Sequence, residues 1–131
     1  MKNIYTWAAQ PAQRNITVGE IIAAKGKKVL TQVTANNALE AKAAEEAGFD
    51  MIIGSAYNVK KVREGSKKLF YTAALELHNY PTAEDVLRGA FTALENGADA
   101  VMTARSMDVV SMLAKEDVPV MGHLGLVPRK S

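Results

Sequence analysis

The sequence contains no cysteine among its 131 residues. This absence excludes disulfide bonds and thiolate metal sites, and it is typical of a protein from a reducing cytoplasm. The formal net charge is only +2, which is too small to indicate a nucleic-acid-binding protein. No apolar run approaches the roughly 20 residues needed to cross a membrane, and the first residues lack the pattern of a signal peptide. We therefore expect a cytoplasmic chain with neither a nucleic-acid partner nor a membrane partner.

The chain has the composition of an ordinary globular protein. Hydrophobic residues make up 48% of the sequence and charged residues 23%, and both shares are normal for a packed domain. The length also suits one domain, since domains typically contain about 100–200 residues. We expect a single domain over residues 1–131.

Signals for helix starts alternate with short apolar runs along most of the chain. Three pairs have the three-residue spacing of a helix cap and its partner: Thr17 with Glu20, Asn37 with Glu40, and Thr82 with Asp85. Ser106 is predicted to cap a further helix. Between these signals, strands are predicted at residues 29–34, 49–54, 69–74 and 98–104, and from Val118 onward.

An internal similarity supports this reading of the chain. Residues 46–54 and 95–103 each contain a helix end, a glycine, an aspartate and an apolar run. Strands that alternate with helices indicate βαβ units and a parallel sheet. Because the strands are almost continuously apolar, both faces of the sheet are expected to be covered. The sequence therefore predicts an α/β fold.

Two stretches are less regular. Residues 1–16 show no period, and Tyr5 and Trp7 are interpreted as the packing anchor of an N-terminal arm. Residues 56–68 contain five lysines and arginines against one acid, Glu64. A solvated basic loop is the first interpretation of that stretch. The alternative is that one or two of its cations hold a carboxylate or a phosphate.

The last strand ends in a histidine that lies between glycines. Val118 begins an apolar run, and Gly122 and Gly125 flank His123 and Leu124. Glycine allows a sharp turn or a close approach to a ligand, so this arrangement can deliver a polar side chain to a binding site. The alternative is a strand end whose histidine is merely hydrogen-bonded.

The run Gly-His-Leu-Gly-Leu at residues 122–126, followed by one short residue and a proline, resembles the ketopantoate hydroxymethyltransferase family. The segment 43–50 is similar both to that family and to the phosphoenolpyruvate mutase and isocitrate lyase group. The resemblance extends back to about Thr17 and covers the first five strands of the family fold. It implies a TIM-type (β/α)8 barrel, of which this chain would form a part.

The same resemblance implies a reaction. The family forms the enolate of 2-ketoisovalerate on a magnesium ion and transfers a hydroxymethyl group to it from methylenetetrahydrofolate, in pantothenate biosynthesis. The family places its metal-binding acids at the ends of strands two, three and four. The corresponding positions here hold Ser55, Ala73 or Ala74, Met102 and Ala104, so the metal carboxylates are missing. The alternative function is a non-catalytic barrel fragment or a relative that binds a small acid.

In parallel α/β folds, ligands bind at the carboxyl ends of the strands. We expect four substrate-binding residues at these ends: His123, Ser55, Arg105 and Asn37. For His123, contact with the substrate is what the resemblance implies, and Asn37 belongs to a pair that replaces a family aromatic-acid pair. Arg105 could hold a carboxylate through two hydrogen bonds, or it could be a structural surface arginine. No catalytic residue is assigned.

A second, weaker metal hypothesis concerns Glu76 and His78, which are two residues apart. On an extended segment they would share one face, and His123 could join them. One carboxylate and two imidazoles would favour a transition metal over magnesium.

Five strands cannot close an eight-stranded barrel, which needs about 250 residues. The first and last strands would then expose unpaired edges, which native proteins avoid. The chain could be a truncated product, its barrel could be completed by another chain, or its sheet could stay open. We expect a partial barrel that self-associates into a homo-oligomer.

Overall fold

The computed structural model describes residues 1–130, which form an antiparallel hairpin followed by alternating helices and parallel strands. The strands are β1 Lys2–Tyr5, β2 Pro11–Arg14, β3 Gln32–Thr34, β4 Met51–Ser55, β5 Phe70–Leu75, β6 Ala100–Thr103 and β7 Val120–Gly122. The helices are α1 Val18–Ala23, α2 Ala38–Glu46, α3 Val59–Gly65, α4 Ala83–Glu95 and α5 Met107–Lys115. Short 3-10 turns occupy Ala56–Asn58 and Pro128–Lys130.

The larger sheet has five parallel strands in the order β3-β4-β5-β6-β7. Each strand therefore pairs with the next one along the chain, with a helix in each connection. This is the progression of strands in the wall of a (β/α) barrel. The predicted α/β class and its parallel sheet are confirmed.

Helix starts are the features that local sequence predicted best. The side chains of Thr17, Asn37 and Thr82 each accept a hydrogen bond from a backbone N–H three residues later. Ser106 also precedes a helix, but within residues 1–130 its side chain makes no capping hydrogen bond. No helix in the described chain is both long and apolar enough to span a bilayer.

The two faces of the sheet are packed differently. Ile52, Tyr71 and Val101 are fully buried on the face covered by the helices, in one large cluster. Side chains alternate along a strand, so Met51, Phe70 and Ala100 point to the opposite face, where they form a smaller cluster with residues preceding β3. We call this second face the inner face. Towards the carboxyl end of the sheet it carries Ser55, Ala74, Met102 and Met121, which are aligned across β4 to β7.

The internal similarity has a structural purpose. Asp50 accepts a hydrogen bond from the backbone N–H of Thr31 at 2.8 Å, and Asp99 accepts one from Tyr71 at 2.9 Å. In each case an aspartate just before one strand binds the start of the preceding strand. The two repeated aspartates therefore hold the register of neighbouring parallel strands at their amino ends.

The N-terminal segment was not predicted as a strand pair. β1 and β2 form a hairpin in which Tyr5 faces Pro11. The ring of Trp7 lies 5.4 Å from that of Phe91 on α4, which confirms Trp7 as a packing anchor. Tyr5 is 78% exposed, so its interpretation as part of the anchor was wrong. The strands have short polar sequences, and the loop between them packs on a distant helix, so no periodic pattern marked them.

The basic stretch at residues 56–68 is also more regular than expected. It forms a 3-10 turn and α3, because Val59 and Val62 are three residues apart and both fully buried. The predicted strand at 29–34 is shorter, since only residues 32–34 pair with β4, and Val29 is 88% exposed. The interpretation of residues 56–68 as a loop was therefore wrong, whereas the alternative that one of its cations holds a carboxylate is confirmed by the contact of Arg63 with Asp99 at 2.7 Å.

Candidate substrate site at the carboxyl end of the sheet

The four expected substrate-binding residues all follow the carboxyl ends of parallel strands. Ser55 ends β4, Asn37 lies three residues after β3, Arg105 lies two residues after β6, and His123 follows β7 directly. Because β6 and β7 are neighbours, Arg105 and His123 emerge side by side in the sheet order. Asn37 and His123 follow the two edge strands, so the sheet separates them by its full width.

Asn37 and Ser55 already have local structural roles. The Oδ1 atom of Asn37 accepts a hydrogen bond from the N–H of Glu40 at 2.9 Å and caps α2. The Oγ atom of Ser55 accepts one from the N–H of Tyr57 at 3.2 Å at the start of the 3-10 turn. The amide NH2 of Asn37 and the hydroxyl hydrogen of Ser55 are not used by these caps, so both side chains keep a donor.

Arg105 is directed to the loop that precedes α4. Its Nη2 atom donates to the carbonyl oxygens of Tyr80 and Pro81, at 2.7 Å each. Its Nε atom is buried and has no hydrogen-bond partner within the described chain. The main observed role of Arg105 is therefore to hold the 80–81 loop, and binding of an anion by this guanidinium stays a prediction.

His123 is half-buried at the end of the edge strand β7. The two glycines that flank His123 and Leu124 are required for different structural reasons. A Cβ at Gly122 would lie 3.2 Å from the Cε atom of Met107, so the strand end packs closely against α5. Gly125 has a φ of +85°, a left-handed conformation that favours glycine. The loop after His123 thus depends on glycine at the position where the chain turns.

The inner face at this end does not fit a magnesium ion. The row formed by Ser55, Ala74, Met102 and Met121 contains a single side-chain oxygen. Magnesium binds oxygen ligands, commonly one or two carboxylates together with water and substrate. Two methionines and an alanine supply no such ligand, so the residues present do not match the metal that the family resemblance implies.

The second metal hypothesis was wrong. Glu76 and His78 do not share a face of an extended segment, because the N–H of Asn79 bonds to the carbonyl of Glu76 and closes a turn. His78 is exposed, whereas Glu76 accepts a long hydrogen bond of 3.4 Å from the side chain of Asn79. Nowhere in residues 1–130 do three or more histidine, cysteine or acidic side chains come together as a metal site would require.

A group of three tyrosines that lies beside Glu76 was not identified from the sequence. The hydroxyl of Tyr71 donates to the carbonyl of Ser55 at 3.0 Å, and burial raises the pKa of Tyr71 to about 12. Burial also raises the pKa of Tyr80, with smaller effects from Tyr57 and Glu76. The rings of Tyr57 and Tyr80 are stacked with centroids 5.7 Å apart. These side chains tie the end of β4 to β5 and to the start of α4.

A cavity of about 420 Å³ lies at the opposite, amino end of the sheet. Apolar side chains such as Trp7, Phe70 and Leu94 line much of it, together with Arg14 and Asp99. These two charged groups bind each other through contacts of 2.8 and 2.9 Å. The rest of the lining is mainly apolar, so the carboxyl end remains the better candidate for a site that binds a small keto acid.

Comparison with known proteins shows the family. The family model for ketopantoate hydroxymethyltransferase matches residues 54–131. The 3-methyl-2-oxobutanoate hydroxymethyltransferase of Kosmotoga olearia is 32% identical over 139 residues, which cover 87% of this chain and 52% of that protein. The enzyme of the same name from Thermotoga neapolitana is 32% identical over 130 residues, covering 80% and 48%. The chain thus spans about half the length of these curated relatives.

Solved structures support the fold alone, since their sequence identities are low. A 2,3-dimethylmalate lyase of the PEP mutase/isocitrate lyase superfamily superposes with a TM-score of 0.62 at 12% identity, covering 91% of this chain and 53% of that one. A putative deoxyribose-phosphate aldolase from Coccidioides immitis gives 0.59 at 19% identity, covering 79% and 55%. The family match over residues 54–131 and the 32% identity to the two hydroxymethyltransferases show that the chain belongs to the ketopantoate hydroxymethyltransferase family.

Proposed function

We propose that this chain binds a small 2-keto acid at the carboxyl end of its sheet but does not itself supply the metal carboxylates for enolisation. The observation that carries the proposal is the aligned row of Ser55, Ala74, Met102 and Met121 on the inner face. At one end of this row the hydroxyl of Ser55 can form hydrogen bonds, and the other three side chains are apolar. The name of the relatives, 3-methyl-2-oxobutanoate hydroxymethyltransferase, supports a branched 2-keto acid as the ligand.

The chemistry of the available groups suits such a ligand. His123 offers a hydrogen-bond donor to a carboxylate or a keto oxygen at the β7 edge of the sheet, next to Met121. The hydroxyl of Ser55 and the amide of Asn37 offer donors towards the other edge, so a small acid would not contact Asn37 and His123 together. Met102 and Met121 are half-buried and offer an adaptable apolar surface to the branched alkyl group. Arg105 would act by holding the 80–81 loop beside the site.

A deuterium-exchange experiment tests this proposal. The protein is titrated with 3-methyl-2-oxobutanoate in D2O, with and without magnesium, and NMR follows both binding and loss of the C3 proton. We expect saturable binding without magnesium-dependent exchange. Exchange that requires both protein and magnesium would contradict the proposal, and so would the absence of binding.

The hydroxymethyl transfer named for the relatives is the second candidate function. The retained Gly-His-Leu-Gly-Leu run at residues 122–126 and the 32% identity to two such enzymes favour it. In that case the acidic groups would have to come from outside the described residues, and methylenetetrahydrofolate would be the one-carbon donor. Magnesium-dependent exchange in the same experiment would support this candidate instead.

We also propose that the chain associates with a second copy of itself. The strands β3 and β7 are the edges of the sheet. Leu124 and Leu126, just beyond β7, are 75% and 74% exposed. Covering these groups and the half-buried inner face would remove apolar surface from water.

The single-domain organisation and the cytoplasmic location stay predictions.

A further inference from the structure

A basic pocket lies at the amino end of the sheet, away from the candidate substrate site. It has a volume of about 370 Å³ and lies between β2 and the end of α3. Its charged lining residues are all cationic: Arg14, Arg63, Lys67 and Lys68. The other lining residues are Pro11, Ala12 and Gln13.

The two arginines are held rigidly by the protein. The Nη1 atom of Arg14 donates to the carbonyls of Gln13 and Lys67, and its Nη2 atom donates to that of Gly97. Its Nε atom binds Asp99.

Arg63 is held in the same manner. Its Nε atom donates to the carbonyl of Gly97, and its Nη1 atom donates to those of Ser66 and Leu69. Its Nη2 atom binds Asp99 at 2.7 Å. In residues 1–130 these bonds use four of the five N–H groups of each guanidinium and leave one Nη2 hydrogen on both.

The charges of the cluster do not balance. One carboxylate, Asp99, serves two guanidinium groups whose side chains are only 5% and 11% exposed. Desolvation lowers the pKa of Arg63 to about 10, and repulsion from Arg14 contributes to the same shift. Six contacts to backbone carbonyls relieve part of this positive charge, but the two lysines at the pocket add to it. Buried charge is normally paired, so an additional anion would be stabilised here.

We propose that this pocket, formed by Arg14, Arg63, Lys67 and Lys68, binds a phosphate-type oxyanion. Each guanidinium keeps a single Nη2 hydrogen, and charge-assisted hydrogen bonds from arginine to phosphate oxygens are among the strong ones. The buried arginines would supply fixed donors, and the exposed lysines would close over the anion from solvent. The site is independent of the 2-keto acid site, because it lies at the other end of the strands.

Titration with inorganic phosphate tests the site. Binding to the protein is followed by calorimetry and by the broadening of the phosphate 31P signal, at constant ionic strength maintained with sodium chloride. We expect saturable binding that is weakened about tenfold or more in the double variant Lys67→Ala/Lys68→Ala, because two charged contacts are lost. The arginines are left intact, since their replacement would disturb folding.

The double variant Lys27→Ala/Lys28→Ala is the matched control. It removes the same charge from an exposed turn that does not line the pocket, and we expect it to bind phosphate as the unmodified protein does. Equal losses in both double variants would show a general charge effect and overturn the proposal. Unchanged binding in the Lys67/Lys68 variant, or no saturable binding to the unmodified protein, would overturn it as well.

Discussion

Asp99 connects three parts of the chain that are far apart in sequence. Its carboxylate accepts hydrogen bonds from Arg14 on the hairpin, from Arg63 on α3 and from the backbone N–H of Tyr71 on β5. Its partner Arg14 is 85 positions away in sequence. A single side chain thus joins the hairpin, a helix and the central strand at the amino end of the sheet.

Replacing Asp99 with asparagine should strongly destabilise the fold. The substitution leaves two buried guanidinium groups without their counter-ion, and removing one partner of a buried ion pair costs about 3–5 kcal/mol. Urea unfolding followed by circular dichroism measures the loss. The control is Asp108→Asn, which changes an exposed acid in the first turn of α5 and should cost less than about 1 kcal/mol. Similar losses in the two variants would contradict this role of Asp99.

The contribution of Tyr71 to the free energy of unfolding should decrease at high pH. Folding raises the pKa of this buried phenol from 10 to about 12, so the folded state keeps a proton that the unfolded chain has lost. The contribution is complete below pH 10 and falls as the pH rises towards 12, by about 2–3 kcal/mol.

A comparison with Tyr71→Phe isolates this effect, because other titrating groups such as Arg63 are common to both proteins. At pH 9 the variant should be less stable by about 1 kcal/mol, since it loses the hydrogen bond to Ser55. Unfolding by guanidinium chloride at pH 9 and pH 11.5 should show that the unmodified protein loses more stability between the two pH values than the variant does. Equal losses in the two proteins would contradict the raised pKa of Tyr71.

His123→Ala tests whether the histidine contacts the ligand. If His123 donates a buried hydrogen bond to the ligand, the substitution should make the free energy of binding 3-methyl-2-oxobutanoate less favourable by about 1–3 kcal/mol. His78→Ala is the matched control, because His78 is exposed in the turn after β5. Calorimetric titration of both variants makes the comparison, and an unchanged affinity in His123→Ala would remove this residue from the site.

At the scale of elements, α2 and α3 pack through a glycine. A Cβ added at Gly65, the last residue of α3, would overlap the backbone carbonyl of Ala38 at the start of α2. Backbone cannot move aside as a flexible side chain can, so the two helices could not keep this approach with any other residue. The glycine therefore sets the distance between two helices on the outer side of the sheet.

Gly65→Ala should destabilise the protein by about 1–3 kcal/mol, through overpacking at the contact between the helices. Gly48→Ala provides the comparison: its φ is +82°, but a Cβ there would meet no atom within 4 Å. That variant should lose only the backbone preference, about 1 kcal/mol. Thermal unfolding ranks the two, and a larger loss at Gly48 would contradict the packing argument.

At the scale of the whole molecule, the chain presents a parallel sheet whose outer face is covered by helices and whose inner face is only partly covered. Ile53, Met102 and Met121 are half-buried on that face. The superpositions with the two solved structures include only about half of each of those chains. The partly exposed inner face is the basis of the proposed self-association.

Light scattering tests the association directly. We expect a mass above that of one 14.1 kDa chain, and a monomer at all concentrations would contradict the proposal. Met121→Glu places a charge on the inner face and should shift the mass towards the monomer with unchanged circular dichroism. Ser111→Glu on α5 is exposed and should leave the mass unaltered.

Much of the fold could be predicted from local sequence. The caps Thr17, Asn37 and Thr82 were identified because a cap and its partner are three residues apart and need no other part of the chain. The alternation of these helices with apolar runs predicted the parallel sheet, and that topology placed Ser55, Arg105 and His123 at one end of it.

Tertiary structure alone decided which side chains meet. The hairpin at residues 2–14, the pairing of Arg14 with Asp99 and the use of Arg105 to hold the loop at Tyr80 all join positions far apart in the chain. No periodicity or spacing encodes such contacts, because they depend on how the sheet and helices stack in three dimensions. Sequence by itself determined the succession of helices and strands, since their signals are local, whereas the charge clusters arose only when the folded chain brought distant residues together.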